Sequence, residues 1–462
     1  MIQGVGGATL AQTIATAAAA PVPRKWPIEE GPDTPKICLG PWDGGGPLPA
    51  GLQPPPAATA PSAPQAGRER GGFGAGFGGF LAPRTEVASP PAEAAPGGRA
   101  SVGGFNFTAS YQRIRQLGVT HLLGVGVAGG TPWTEENIRI AIQTAKEAGL
   151  VAYNTMINVP ASVIYGRESR AKDMEPIIAS IEAAGKAGLP VIEYNFYAHR
   201  AIEGYYETVG RARAGYTGFD YELELLVDEN GGVVQPIYRD ENGQITPETL
   251  AAFPNAKKVK FKDLPPLANE GAHNLQEMWA NVTYFLKAAV PAAEKAGVRL
   301  ALHPNDPPAP ISRGSQQIMG TVAGCKHLIE IVNSPANGIT FDCGVIREMG
   351  DDPVQVAEYF ASRKRINHVH YRNVQVVKPY EKYQEVFIDA GMGDMFGVMK
   401  ALVRNKYTGT IYPEHPRALD ADRDRAPGNH IIGYYPGDGG YTGITYNVAY
   451  ARAMMQAALE SM

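Results

Sequence analysis

An eight-fold (β/α) barrel is the fold this sequence predicts, and three observations carry it. Eight short apolar segments of β character recur along the chain, helical patterns lie between them, and several of those patterns end in Ala-Gly-Leu or Ala-Gly-Val. There glycine supplies a left-handed cap and the next strand begins at once, which is the short return that βα repeats need. The strand segments are KICLG (36–40), THLLGVG (120–126), VAYNTM (151–156), PVIEYNF (190–196), VRLALHP (298–304), GITFDCG (338–344), INHVHYR (366–372) and GTIYPEH (409–415). Helices are expected at SYQRIRQLG, TEENIRIAIQTAKEAG, MEPIIASIEAAGKAG, NLQEMWANVTYFLKAAVPAAEKAG, PVQVAEYFASR and MGDMFGVMKALVRNK, where apolar residues recur at i, i+3 and i+4. A last helix, NVAYARAMMQAALES, closes the barrel. The architecture is α/β, a TIM barrel.

Two insertions interrupt the repeat. Between strands one and two, residues 41–104 form a tract in which about 25 of some 60 residues are Gly or Pro, too rich for a packed element. A disordered loop is expected there, carried on a βα connection of the barrel. After strand four, residues 197–270 contain DENGG and DENGQ between short β-type runs, a pattern of hairpins. Loops after barrel strands open onto the catalytic face, so this second insertion reads as a lid or an oligomer contact. Residues 1–33 form a leader and 34–462 the catalytic domain. Within the leader, residues 4–22 have the small, weakly apolar character of a signal-peptide core without preceding basic residues, so they fit either a truncated export signal or a plain Ala/Gly leader.

The bulk numbers exclude several functions. A chain of 462 residues with 44% hydrophobic composition buries one large core, and a net charge of -4 calls for neither nucleic acid nor an anionic membrane. No segment is long and apolar enough to span a bilayer. Three widely spaced cysteines, Cys38, Cys325 and Cys343, make no disulfide framework and fit a reduced compartment or a metal ligand. A small-molecule enzyme is the default, expected in the cytoplasm, or exported if the leader is a truncated signal, and expected as a homo-oligomer.

Chemistry gathers at the ends of strands five to eight. These carry His303, Cys343, His370 and the pair Glu414 and His415. Alone, each has an ordinary reading: a strand histidine bonded to a carbonyl, a buried thiol acting as a small hydrophobe, a solvated glutamate. Together, imidazole, thiolate and carboxylate at the C-terminal ends of neighbouring strands can converge on one divalent cation. Such a set suits Mn²⁺, Fe²⁺ or Zn²⁺, and a thiolate disfavours Mg²⁺. In NHVHYR, His368 and His370 point the same way on a strand of period two, and His370 lies nearer the C-terminal end.

The same residues resemble those of the mannonate dehydratase family, barrel enzymes of the xylose-isomerase-like kind that convert D-mannonate to 2-keto-3-deoxygluconate. The resemblance is carried by HPNDPP, PANGITFDCG, HYRN, PEH and GYTGITYNVAYARAMMQ, and upstream by WTEENI, AGLPVIEYNFY and GRARAGYTGFD, over most of residues 105–460. It implies His303, Cys343, His370 and Glu414 as metal ligands, a divalent metal (Mn²⁺ or Fe²⁺), and His415, Tyr441 and Arg372 in catalysis. It also implies a sugar acid held by Asn195, Arg372 and Asn305, with Arg372 forking onto the substrate carboxylate. The chain departs from the family pattern in three places. Asn305 stands where HPDDPP has Asp, Glu414 where an Asp precedes the PEH histidine, and DCGVIREMG where a Cys-Thr-Gly-Ser run is usual, so Asp342 could itself be the ligand beside Cys343. Tyr441 lies among Tyr434, Tyr435 and Tyr446 and could serve packing alone.

The activity implied is metal-dependent dehydration of D-mannonate or a related sugar acid. A sugar isomerase or epimerase is the alternative, with Glu193 as its added ligand, and a non-catalytic carbohydrate-binding barrel is a second.

Overall fold

The computed structural model describes residues 29–44, 84–85, 108–128, 130–235, 237–240, 243–424 and 435–462. The leader to residue 28 and nearly all of the Gly/Pro tract lie outside the described residues, apart from Arg84–Thr85, which pairs antiparallel with Ile237–Tyr238 of the lid.

Eight parallel strand positions close on themselves. Strand one (Lys36–Leu39) lies between strand eight (Thr410–Tyr412) and strand two (His121–Leu122). Strand four (Val191–Tyr194) pairs with strand five (Arg299–Leu302), and strand six (Asn337–Asp342) links that strand to strand seven (Ile366–His370), which returns to strand eight. The third position is split: Val151–Ala152 pairs with strand two and Asn154–Ile157 with strand four. Tyr153 carries the ladder across the break, its amide donating to the Leu122 carbonyl at 2.9 Å. The two ends of the sheet are therefore consecutive in the chain, and the barrel is shut.

Strand two stops four residues before the sequence pattern ends. Gly124 adopts a left-handed φ of 64°, and its amide donates to the Asn154 side chain at 3.0 Å, so the backbone leaves the ladder.

Helices lie where periodicity puts them, at Thr108–Gln116, Glu135–Glu147, Arg170–Ala187, Leu275–Ala296, Pro353–Ser362, Met395–Arg404 and Tyr441–Glu460. Asn274 and Glu277 form a reciprocal capping box at the start of the longest. The ten-residue helix Val322–Ile331 is absent from the sequence-based expectation, as are shorter ones such as Pro247–Ala252 and Cys343–Glu348. In the segment TVAGCKHLIEIV, buried Val322, Cys325, Leu328 and Ile329 form a stripe opposite Lys326, His327 and Glu330, so the helical period is present in the sequence. Among the described residues no helix is long and apolar enough to cross a membrane.

Above the barrel sits a second layer with its own core of Tyr205, Phe219, Leu225, Phe261 and Tyr383. Its four-stranded antiparallel sheet joins Tyr205–Val209 and Gly215–Asp220, from the insertion after strand four, to Val374–Lys378 and Lys382–Glu385, a hairpin after strand seven. The first pair lies in the expected lid; the second was not foreseen. Within the lid, DENGG turns the chain as its spacing suggests, with Asp228 Oδ1 accepting from the amides of Asn230 and Gly232, both at 2.8 Å.

A buried ionic network roots the lid. His199 Nδ1 meets Glu270 at 2.7 Å and Nε2 meets Glu203 at 2.9 Å, while Arg313 Nε donates to Glu203 at 2.7 Å. Burial opposes the imidazolium, yet the two carboxylates outweigh it and lift His199 to about 9 from 6.5. Burial likewise opposes the Glu203 carboxylate, but His199 and Arg313 hold it down at about 2. His199 therefore contributes stability fully below its ordinary 6.5, and that contribution is lost as pH rises through about 9. Glu203 contributes above its ordinary 4.5, and that contribution is lost as pH falls through about 2.

Two predictions follow from this packing. In His199→Gln, the melting-temperature deficit against the parent protein should be largest near about pH 6 and shrink toward about pH 9; a deficit independent of pH would refute the ionic account. At Gly185 an added Cβ would stand 2.3 Å from the Ala296 carbonyl oxygen, where two helices touch. Gly185→Ala should thus cost about 1–3 kcal/mol in urea unfolding, despite alanine's better helix propensity.

Candidate metal centre and active site

Alternation along the strands decides which side chains enter the barrel. On strand six Thr340 and Asp342 share the inner face, on strand seven His368 and His370, and on strand eight Thr410 and Tyr412, with Glu414 two residues further on. The lower layer is a polar plug. Glu193 accepts from Asn154 Nδ2 and from Thr340 Oγ1, each at 2.9 Å, and His368 Nδ1 lies 2.8 Å from Thr410 Oγ1.

The upper layer is the cluster that matters. One ligand atom each from His303, Asp342, His370 and Glu414 lies within 4.8 Å of all the others, and all four residues are buried. His303 Nε2 is 3.0 Å from His370 Nδ1, which is 2.9 Å from Glu414 Oε1, and Asp342 Oδ2 is 3.7 Å from both ring nitrogens. His303 Nδ1 faces the Pro304 carbonyl at 2.7 Å, so it carries the proton and Nε2 presents a lone pair. On the far side of His370, Nε2 looks toward Glu193 at 3.7 Å, which places a carboxylate behind that ring.

Two imidazole nitrogens and two carboxylate oxygens aimed at one point form a donor set that fits a divalent cation. Buried Glu414 Oε1 receives no aligned hydrogen bond, which fits an atom facing a cation. Burial opposes the charged ring, but Glu414 and Asp342 lift His370 to about 10. Burial and the charge on His370 lower His303. Burial opposes the Glu414 carboxylate too, yet His370 and His415 hold it well below the usual range.

Cys343 is not drawn into this cluster. It opens the short helix Cys343–Glu348, and its thiol donates to the carbonyls of His370 and Arg372 at 3.3 and 3.2 Å, while burial pushes its pKa up. Asp342, the last inward residue of strand six, takes the position instead. Its Oδ1 caps that helix at the Val345 amide, 2.8 Å away, and Oδ2 turns to the centre.

Arg372 is held mainly by the protein. Its Nε lies 3.1 Å from Asp342 and 3.3 Å from Glu414, its Nη1 2.7 Å from Glu348, and its Nη2 3.4 Å from Asp306. The guanidinium, 2% exposed, orients two members of the quartet, while Nη2 makes no aligned hydrogen bond. Gly344 makes the approach possible, since a Cβ there would sit 2.8 Å from the Arg372 side chain.

His415 lies beside the quartet. Its Nδ1 is 2.8 Å from Glu385 Oε2 and its Nε2 3.6 Å from Glu414 Oε2. The Tyr441 hydroxyl donates to the Arg113 carbonyl at 3.0 Å, where the last helix meets the first. Asn195 and Asn305 are buried, each with one uncommitted atom: Oδ1 of Asn195 and Nδ2 of Asn305 have no partner, whereas Asn305 Oδ1 accepts from the Met319 amide at 2.8 Å.

Several contributors escape a reading of the sequence. Asp306, Glu348, Glu385, Arg417 and Asp438 all belong to the ionic network around Arg372 and His415. Asp306, inside HPNDPP, and Glu348, inside DCGVIREMG, stand in segments already marked; Glu385 lies in a polar hairpin with no motif.

Fold and centre together define a metal-binding (β/α)8-barrel enzyme. Comparison with known proteins makes this specific. The family model for D-mannonate dehydratase matches residues 103–455, and the chain belongs to that family. It is 30% identical over 307 residues to the mannonate dehydratase of Streptococcus equi subsp. zooepidemicus, covering 65% of this chain and 79% of that protein. It is also 30% identical over 353 residues to that of Enterococcus faecalis, covering 70% and 92%. The crystal structure of mannonate dehydratase from Streptococcus suis serotype 2 superposes with a TM-score of 0.58 at 25% identity, over 76% of this chain and 91% of that one.

The geometry separates Asp342 from Cys343 as a ligand. Asp342→Asn should lower bound Mn²⁺, measured by elemental analysis after dialysis, with an affinity loss of roughly 10-fold or more, while Cys343→Ser should retain it. The reverse order would return the ligand role to the thiol.

Proposed function

We propose that this protein dehydrates D-mannonate, or a closely related sugar acid, to the 2-keto-3-deoxy acid and water. The observation that carries the reading is the convergence of His303, Asp342, His370 and Glu414 at the C-terminal end of the barrel, with His415 adjoining Glu414. Those four residues would hold the cation. Two imidazoles with two carboxylates favour Mn²⁺ or Fe²⁺ over Mg²⁺, and a bound ion stabilises the negative charge that develops when a proton leaves the carbon next to a carboxylate.

The reaction is balanced without redox change. The C2–H bond breaks, the C2–C3 double bond forms and the C3 hydroxyl leaves, taking a proton to become water. The resulting enol then shifts its proton to C3, giving the 2-keto-3-deoxy acid. His415 Nε2, facing the quartet, moves the proton. Arg372 keeps Asp342 and Glu414 in place. Asn195 Oδ1 and Asn305 Nδ2, both unpartnered, offer an acceptor and a donor to substrate hydroxyls. Tyr441, tied to Arg113, is given no step.

For the isomerase alternative Glu193 is the candidate added ligand; its oxygens accept from Asn154 and Thr340 and one lies 3.7 Å from His370 Nε2, which supports a backing role. Three free and buried cysteines favour a reducing compartment, and we place the enzyme in the cytoplasm.

The test is turnover of a panel of aldonic acids by Mn²⁺-loaded protein, with chelated protein as control. D-mannonate should give a metal-dependent 2-keto-3-deoxy product, and His303→Ala and His370→Ala should each lower both metal content and kcat/KM, the latter by roughly 100-fold or more. No product from any acid with metal bound would overturn the reading.

A further inference from the structure

The hairpin that follows strand seven ends on a glutamate that reaches into the active site. Glu385, the last residue of Lys382–Glu385, is 1% exposed. Its Oε2 lies 2.8 Å from His415 Nδ1 and 2.9 Å from Arg417 Nη2. Arg417 is itself held, by Asp438 Oδ1 at 2.8 Å and by Thr217 Oγ1 at 3.0 Å, so the carboxylate is locked from behind. His415 adopts a left-handed φ of 46°, a conformation that a non-glycine residue keeps only where its surroundings impose it. Its ring lies between two carboxylates, with Glu385 at Nδ1 and Glu414 on the Nε2 side, 3.6 Å away.

A carboxylate cannot donate, so the hydrogen of that short contact sits on Nδ1. The nitrogen facing the metal cluster is then Nε2, the one able to exchange a proton with a ligand. We propose that Glu385 is a positioning residue: it fixes His415 in the tautomer and orientation that aim Nε2 at the substrate. The proposal rests on the reading of His415 as the proton-transfer group. It also ties chemistry to the lid, because Glu385 stands in the strand that pairs with Gly215–Asp220, register Glu385 to Thr217. The centre is complete only when this two-segment sheet is assembled.

The experiment compares Glu385→Gln, Glu385→Asp and His415→Ala, singly and with Glu385→Gln combined with His415→Ala. Kinetics on D-mannonate are read with Mn²⁺-loaded protein, and the His415 tautomer by nitrogen NMR of Zn²⁺-loaded, histidine-labelled protein, the signal being assigned by its loss in His415→Ala. Glu385→Gln should lower kcat roughly 10- to 100-fold with KM changed by less than about threefold and metal content intact. Its His415 signals should move toward the other tautomer. Glu385→Asp, which keeps the charge beside Arg417 at shorter reach, should fall between the two. The double variant should be no slower than His415→Ala, since the two residues act as one unit.

Unchanged kcat in Glu385→Gln, or a loss that adds fully to that of His415→Ala with the tautomer unmoved, overturns the proposal. Full turnover by His415→Ala overturns instead the proton-transfer reading beneath it, and the tautomer measurement still decides whether Glu385 sets the ring.

Discussion

The buried guanidinium of Arg372 is the interaction on which the catalytic face depends. Five carboxylates surround it within 3.5 Å: Asp306 after strand five, Asp342 on strand six, Glu348 on the short helix, Glu385 on the lid hairpin and Glu414 after strand eight. Each would be costly to bury alone; Glu385 also pairs with Arg417 and Asp306 faces Arg200, but only Arg372 touches all five. One side chain thus fixes the directions of two prospective metal ligands and joins lid to barrel. Breaking such a pair from one side typically costs about 3–5 kcal/mol, because the charges left behind stay buried.

The scaffold was legible because barrel strands and helices are local patterns. KICLG, PVIEYNF and INHVHYR announce buried strands, and the Gly caps announce their returns. Where legibility failed, the cause was non-local. Strand two stops at Leu122 because Gly124 turns toward Asn154, thirty residues away, and nothing in THLLGVG reveals that contact. The hairpin over 374–385 forms because lid strands from the other insertion lie beside it. Helix Val322–Ile331 is the exception, since Lys326, His327 and Glu330 mark one polar face in the local sequence.

The centre divides along the same line. His303, His370, Glu414 and His415 stood out by residue type at strand ends. The choice between Asp342 and Cys343 was readable only in part: period-two alternation puts Thr340 and Asp342 on one face, but it leaves open where the strand ends and the helix begins. Arginine at a strand end suits a substrate carboxylate, but Arg372 meets carboxylates of the protein itself. They come from four stretches of chain, three of them the marked segments HPNDPP, DCGVIREMG and PEH, and nothing local shows that they converge on one guanidinium.

The lid sheet takes two strands from the insertion after strand four and two from the hairpin after strand seven. A roof fastened after both strand four and strand seven cannot swing like a hatch, since opening it on one hinge would tear the ladder between Gly215–Asp220 and Lys382–Glu385. Any motion that uncovers the centre must therefore carry both connections together, so the span overhead works as a beam tied at two points.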